Sequence, residues 1–217
     1  MSKATMHKED AHSMVAIKIA YRKKEDESQL WADFRNGDET AFTRLYNNYV
    51  IQLYNYGERL SSDKTLIEDS IHDFFVQLWK NRSNISQTSS VKFYLYKGFK
   101  NRLIKNLEKK RKLPYSQISE NYHFEIVCSP EFDLIKEQIS EEQKQNLLIA
   151  INKLAPRQKE ALTLRFYDGL PYEEIASLMM LPVKSVYMLI YRAINFLKDN
   201  IKSNIILFII LRYFMSR

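Results

Sequence analysis

The chain has 217 residues, 45% of them hydrophobic, with a single cysteine and a formal charge of +7 at neutral pH. That is enough apolar material for one larger domain or two small ones. Cys128 alone excludes an internal disulfide and suits a reducing cytoplasm, and His7, His12, His72 and His123 lack ligand-type spacing, so neither a metal nor another cofactor is expected. The positive excess, with a pI near 9.3, fits an anionic partner such as nucleic acid if the charge is clustered.

Four glycines and five prolines leave few breakers, and the abundance of Leu, Ile, Lys, Glu and Gln predicts an all-α chain. Residues 1–27 alternate polar and apolar groups without the continuous apolar core of a signal peptide, and read as a flexible leader. Residues 28–112 read as a first helical domain. Phe42, Leu45, Tyr49, Leu53 and Tyr56 recur at steps of three and four, one face of a helix, with Asp38 placed to cap it. Leu66, Ile67, Ile71, Phe74, Phe75, Leu78 and Trp79 repeat the pattern behind Ser62 or Asp63 as caps. The polar stretch 81–90 predicts a loop. A third helix follows, ending before Pro114.

Residues 113–130 carry no sustained period and read as a linker, across which the charge changes sign. Lys92, Lys97, Lys100, Arg102, Lys105, Lys109, Lys110, Arg111 and Lys112 precede it, opposed by Glu108. Glu120, Glu125, Glu131, Asp133, Glu137, Glu141 and Glu142 follow, with Lys136 among them. A basic block before an acidic linker suggests two modules with separate surfaces.

Residues 131–203 form the second helical set: one helix to Leu154, another opened by Pro156, and Gly169 where a left-handed cap is wanted. The stretch 169–197 then outlines two short helices and a tight turn. Ala176 and Val186 meet the demand for a small residue and a facing apolar one where such helices cross. Ile175, Leu178, Leu189, Ile190, Ala193 and Leu197 complete an inward side. The opposite side shows Lys184, Ser185, Tyr187, Met188, Tyr191, Arg192 and Asn195. From the pattern alone, a DNA-reading helix-turn-helix and a helical hairpin packing only on protein both stand. Residues 204–217 form a hydrophobic tail whose apolar run, Ile205–Leu211, is far shorter than the roughly 20 residues of a spanning helix. A last packed helix is the simpler reading; an interfacial or partner-binding helix is the alternative.

The run from Leu154 to Ala193 resembles region 4 of bacterial sigma factors. The resemblance is carried by Leu154, Pro156, Arg157–Gln158, Leu164–Arg165–Phe166, Gly169–Leu170, Tyr172, Glu173–Glu174–Ile175–Ala176, Val186 and Arg192–Ala193. It implies a second helix in the major groove of the −35 promoter element, with Lys184, Ser185, Tyr187, Met188, Tyr191 and Arg192 in contact. The first domain resembles region 2. Its opening helix matches "GDETAFTRLYNNY", and "IEDSIHDFFVQLWKNR" looks like the helix that docks on the β′ clamp of RNA polymerase, which carries docking roles over to Asp69, Asp73, Gln77 and Trp79. Trp79, Phe74 and Phe75 also fit a core stripe.

"SVKFYLYKGFKNRLIKNLEKK" looks like the −10 segment, which implies DNA contacts from Lys92, Tyr94, Lys97, Lys100, Asn101, Arg102 and Lys105. The chemistry agrees: duplex opening needs cations for phosphates and rings for exposed bases, and Tyr94, Tyr96 and Phe99 are the rings on offer. Asn101 brings a donor and an acceptor to a base edge. A solvated basic face over a core of Leu95, Phe99 and Leu103 is the competing reading.

Two domains, a short linker and no room for a region 3 resemble the extracytoplasmic-function (ECF) branch. The expected function is to bind core RNA polymerase through the β′ clamp and β flap, to recognise −35 and −10 elements, and to assist promoter opening. No catalysis of its own and no small-molecule substrate are expected. The family also implies an anti-sigma factor as a partner, though no residue here identifies one. A polymerase-independent helix-turn-helix regulator and a membrane-associated helical adaptor are the rival readings. Three positions depart from the family. Met180 stands where Gly is frequent, so the turn should be built with negative φ or an unusual bend. Ser185–Val186–Tyr187 and then Leu189 remove two groove-facing cations. Tyr94 replaces a usual Trp. Phosphate binding should therefore come chiefly from residues 92–112, with Tyr187, Met188 and Tyr191 making van der Waals contacts.

Overall fold

The computed structural model of the chain describes residues 26–112, 124–125 and 141–201, all of whose regular elements are helical. The leader to residue 25, most of the linker, residues 131–140 and the hydrophobic tail lie outside that description, as do Cys128, His7, His12 and His123. Helix α1 spans 26–35. Helix α2 is Glu39–Leu60, with the Asp38 carboxylate accepting from the Thr40 and Ala41 N–H groups. Helix α3 is Lys64–Lys80, where Asp63, rather than Ser62, caps by accepting from Leu66 N–H at 3.1 Å. Helix α4 is Val91–Arg111, capped by the Ser90 hydroxyl. It ends at Arg111, three residues before Pro114, and the following Lys112 adopts a left-handed conformation.

These four helices close on one core. Leu45, Tyr49, Leu53 and Tyr56 from α2 meet Ile67, Ile71, Phe74 and Phe75 from α3 and Leu95, Phe99 and Leu103 from α4, all buried. Each such side chain stabilises the fold by about 1.5–3 kcal/mol on leaving water. Trp31 and Phe34 of α1 are wholly buried and join a ring cluster with Phe42, Tyr94 and Trp79. At Gly98 the α4 backbone passes so close to α3 that a Cβ would overlap the Phe74 ring.

The second set comprises α5 (Glu141–Asn152), α6 (Pro156–Leu162), α7 (Tyr172–Met179) and α8 (Val183–Asn200). Pro156 opens α6, and the Gln158 side chain accepts from Ala155 N–H at 3.0 Å. Thr163–Tyr167 continue α6 as a π turn: Asp168 N–H donates to Thr163 C=O, five residues back, at 2.9 Å. Gly169 then takes φ +70° and turns the chain into α7. The two helical sets touch each other, with α4 packed on α7. Phe124, from the linker, is buried beside Tyr56. Among the described residues no single helix is long and apolar enough to cross a membrane.

Candidate nucleic-acid interface

Helices α7 and α8 meet at 101°, the crossing of a helix-turn-helix. Ile175, Ala176, Leu178, Val186, Ile190, Ala193 and Leu197 are buried between them and α6, with Leu189 partly so. Of the two forms expected for the turn, a negative φ or an unusual bend, the second is found. Met180 adopts φ +54° and ψ +47°, the left-handed region. Its side chain is solvent-exposed, so the turn costs backbone strain and no clash with the core. Around it, Leu181 N–H donates to Ala176 C=O and the Arg157 guanidinium to Met179 C=O.

The outer side of α8 presents Lys184, Tyr187, Met188, Tyr191 and Arg192 to solvent, with Ser185 half-buried at its first turn. Three of these are large and apolar: Tyr187 is 49% exposed, Met188 41% and Tyr191 61%, an apolar patch on the outer side of an otherwise packed helix. Tyr187 is held from behind. Its ring stacks on Tyr172 of α7 at 3.9 Å and 15°, and Arg165 lies over the other ring at 4.8 Å while donating to Leu170 C=O. Sequence reading passed over this three-layer stack, because Arg165, Tyr172 and Tyr187 sit on three separate elements.

Helix α4 carries three faces. One is core. Tyr96 and Phe99 are wholly buried there, which corrects the expectation that their rings are offered to bases. The second face, with α3 and the loop before α4, lines an open cavity of about 750 Å³. Tyr94, Gly98, Asn101, Arg102 and Lys105 face Phe74, Gln77, Asn81, Asn84 and Ser86 across it. Backbone acceptors hold that loop in place: Ser86 C=O takes the Trp31 indole N–H at 3.2 Å, and Ile85 C=O takes Arg35 Nε. The Gln87 side chain bonds Arg35 and Ser28. Burial raises the Tyr94 phenol above its ordinary value.

The third face of α4 lies against the second domain. Lys100 Nζ donates to Glu160 Oε1 at 2.8 Å and to Leu178 C=O at 3.1 Å, with both charged side chains out of solvent. Tyr56 donates to the same Glu160 oxygen at 3.1 Å. Tyr96 donates to Asp168 Oδ1 at 2.6 Å, and Arg59 faces Asp168 Oδ2 at 3.7 Å. Lys97 stays exposed but donates to Ser177 at 3.0 Å. Lys92 is half-buried over the Tyr96 ring. Burial pushes the Asp168 carboxyl up, against the opposing pull of Arg59, Tyr96 and Lys92. The Tyr96 phenol is raised further still, by burial first and then by Asp168.

Residues 45–113 match the family model for sigma-70 region 2, and residues 144–197 match that for sigma-70, region 4. The two together cover more than half of the chain. The chain belongs to the sigma-70 family, in its ECF branch. The RNA polymerase sigma-H factor of Pseudomonas aeruginosa is 26% identical over 182 residues, 78% of this chain and 91% of that one. The ECF RNA polymerase sigma-E factor of Haemophilus influenzae is 27% identical over 177 residues, 77% of this chain and 91% of its own. In fold the chain is similar to CnrH, solved with the cytosolic domain of CnrY (TM-score 0.51, 20% identity, 80% of this chain and 95% of that one). It is likewise similar to RpoE of Bartonella quintana, solved with the anti-sigma factor NepR (TM-score 0.52, 21% identity, 75% and 98%).

Within this ECF sigma factor, the residues that the resemblance assigns to one role are not always together. Asp69 and Asp73 lie exposed on α3. Gln77, four residues further along the same stripe, is exposed as well and borders the α4 cavity. Trp79 turns inward onto Phe42 and Phe34, with the Arg82 guanidinium 4.1 Å over its ring. Of the −10 set, Tyr94, Asn101, Arg102 and Lys105 share the cavity, whereas Lys97 and Lys100 face region 4.

Proposed function

We propose that this ECF sigma factor binds core RNA polymerase, places α8 in the major groove at −35, and captures the −10 segment with α4 during promoter opening. The carrying observation is the cavity beside α4. It brings Asn101, Arg102 and Lys105, which donate hydrogen bonds and charge, together with the Tyr94 ring and the polar groups of Gln77, Asn84 and Ser86. A site of that chemistry suits a base turned out of the stack with its phosphates held by cations. The Tyr187, Met188 and Tyr191 surface suits apolar contact with base edges, thymine methyl groups above all, while Lys184 and Arg192 at its margins suit phosphates.

Asp69 and Asp73 are the polymerase-docking carboxylates in this reading, aimed at the β′ clamp, and region 4 meets the β flap. Residues 28–112 and 131–203 act as the two working units. The polymerase supplies all catalysis, and the factor works in the cytoplasm. RpoE of Bartonella quintana was solved with the anti-sigma factor NepR, and CnrH with the cytosolic domain of CnrY, which supports a protein partner of the first kind here.

The test is a holoenzyme reconstituted with core polymerase and a promoter carrying a fluorescent base analogue in the −10 non-template strand. Lys105→Ala and Asn101→Ala should each lower the opening signal, and Lys105→Ala should flatten the salt dependence of binding by about one phosphate contact. An unchanged opening signal and salt slope would remove α4 from the DNA.

A further inference from the structure

We propose that helix α1 is a working part of the −10 site. Its Trp31 and Arg35 are positioning residues: they set the loop 85–87 for telling one unstacked base from another, while the cations of α4 hold the strand. The inference rests on the reading of the cavity beside α4 as the −10 site. Helix α1 precedes the stretch that matches the region 2 family model, residues 45–113, so the match gives it no role.

The loop forms one wall of the cavity. Asn84, Ile85 and Ser86 line it, with Asn101, Arg102 and Lys105 of α4 on the other side. A short 3-10 turn ends at Asn84, and α4 begins only at Val91. A stretch of chain between two such elements has many conformations to lose. Helix α1 supplies the restraint. Arg35 donates through Nε to Ile85 C=O at 2.5 Å and through Nη1 to the Gln87 amide oxygen at 3.2 Å. The Trp31 indole N–H donates to Ser86 C=O at 3.2 Å. Gln87 donates in turn to the Ser28 hydroxyl at 3.1 Å. Among the described residues, the hydrogen bonds that tie 85–87 to an α-helix all come from α1.

Helix α1 can hold the loop because its other side is core. Trp31 and Phe34 are wholly buried, and Phe34 meets Phe42 at 6.0 Å and Trp79 at 6.3 Å. The Trp31 ring also stands edge-on to Tyr94 at 5.0 Å, and Tyr94 lines the cavity. One residue therefore sets both a ring and a stretch of backbone at the site. The two walls differ in chemistry. Arg102 and Lys105 carry charges that any phosphate satisfies. Asn84 and Ser86 carry neutral groups that donate and accept. Phosphate contacts fix register, whereas contacts to base edges specify, and they do so only when held to about 0.5 Å. Arg35 directs its donors at neutral acceptors of the loop, so it acts there as a bracket.

The test uses holoenzyme with core RNA polymerase and a forked DNA carrying a single-stranded −10 segment. The segment has either the sequence shared by the mapped start sites or a single-base substitution of it. The ratio of the two affinities reads discrimination, and the slope of affinity against salt reads phosphate contacts. Arg35→Met keeps the aliphatic stem and removes the donors, Arg35→Lys keeps one donor, and Gln87→Ala loosens the bracket at an exposed position. Single-base discrimination is worth about five- to 150-fold. Arg35→Met should reduce the ratio about ten-fold and Gln87→Ala about three-fold, both at an unchanged salt slope, with partial recovery in Arg35→Lys. A parental ratio in Arg35→Met overturns the bracket. So does a loss of salt slope in place of discrimination, which would make Arg35 a phosphate contact. Should Arg35→Met fail to fold, Gln87→Ala decides, and an unchanged ratio there overturns the bracket too. If Lys105→Ala leaves the salt slope of the parent unaltered, the −10 reading itself fails and the role of α1 falls with it.

Discussion

Lys100 of region 2 and Glu160 of region 4 lie 60 positions apart in the chain and meet at 2.8 Å, both side chains shielded from solvent. Removing one partner of such a pair strands the other and costs about 3–5 kcal/mol. Glu160→Ala should lower stability by up to that amount, because parting of the domains lets Lys100 rehydrate. Lys100→Met combined with Glu160→Leu should restore most of the loss, yet should not restore −10 binding, since Met carries no charge. Urea denaturation and fork-DNA titration of the same three proteins separate the two effects. A double variant no more stable than Glu160→Ala contradicts the pairing.

The carboxyl of Asp168 gives the fold a pH dependence of definite sign. Its pKa is raised above the ordinary 3.8, chiefly by burial, while Arg59, Tyr96 and Lys92 oppose the shift. Its neighbour in the chain, Tyr167, lies under the Arg59 guanidinium. The folded chain therefore holds this proton more tightly than the unfolded chain does. The contribution is complete below the ordinary value and is lost as pH rises through the raised one. Asp168→Asn removes it. The stability difference, parent minus Asp168→Asn, should fall as pH climbs from about 4 towards neutrality. A difference that is flat or rises over that range speaks against the burial argument.

Met180 holds a left-handed backbone with its side chain in solvent. For an L-residue that conformation costs about 1–2 kcal/mol. Gly returns about 0.4–1 kcal/mol of this as extra entropy of the unfolded chain. Met180→Gly should therefore stabilise the protein by roughly 0.5–1 kcal/mol, read as a rise in Tm of a few degrees, with promoter selectivity unchanged. A fall in Tm would show that the Met180 side chain outweighs the strain.

Tyr172 fixes the ring of Tyr187 by stacking at 3.9 Å. A ring pair of this kind is worth about 0.5–1.5 kcal/mol. Tyr172→Ala should therefore reduce the preference for a cognate over a scrambled −35 element by about two- to ten-fold, while −10 fork binding is preserved. Tyr172→Phe keeps the ring and should keep the preference. Equal discrimination by the Ala variant would mean that Tyr187 does not depend on the stack.

Much of this molecule was legible because its helices obey a 3.6-residue period and local rules. The inward faces of α2 and α3, the caps Asp38 and Asp63, Pro156 at the start of α6 and Gly169 after it all follow from near neighbours in the chain. What was not legible depends on distant neighbours. Nothing around Glu160, in the polar run "RQKEA", marks it as fully buried, because its partners Tyr56 and Lys100 come from another domain. Tyr96 and Phe99 read equally well as base-stacking rings or as core, and only the packing of α4 on α2 and α3 decides for core. Trp79 reads both as a docking group and as part of the core stripe, and its half-buried ring packs on Phe42 and Phe34. At Met180 the crossing of α7 and α8 imposes a conformation that the residue itself disfavours, so residue type alone left the form of the turn open.

Run-off transcription with core RNA polymerase, with start sites mapped across genomic DNA, tests the central claim most directly. The account predicts that core enzyme plus this chain initiates at discrete sites sharing −35 and −10 elements, and that Asp69→Lys reduces the yield by weakening assembly with the core. A chain that binds promoter duplex tightly by itself, never associates with core polymerase and yields no transcript would contradict it.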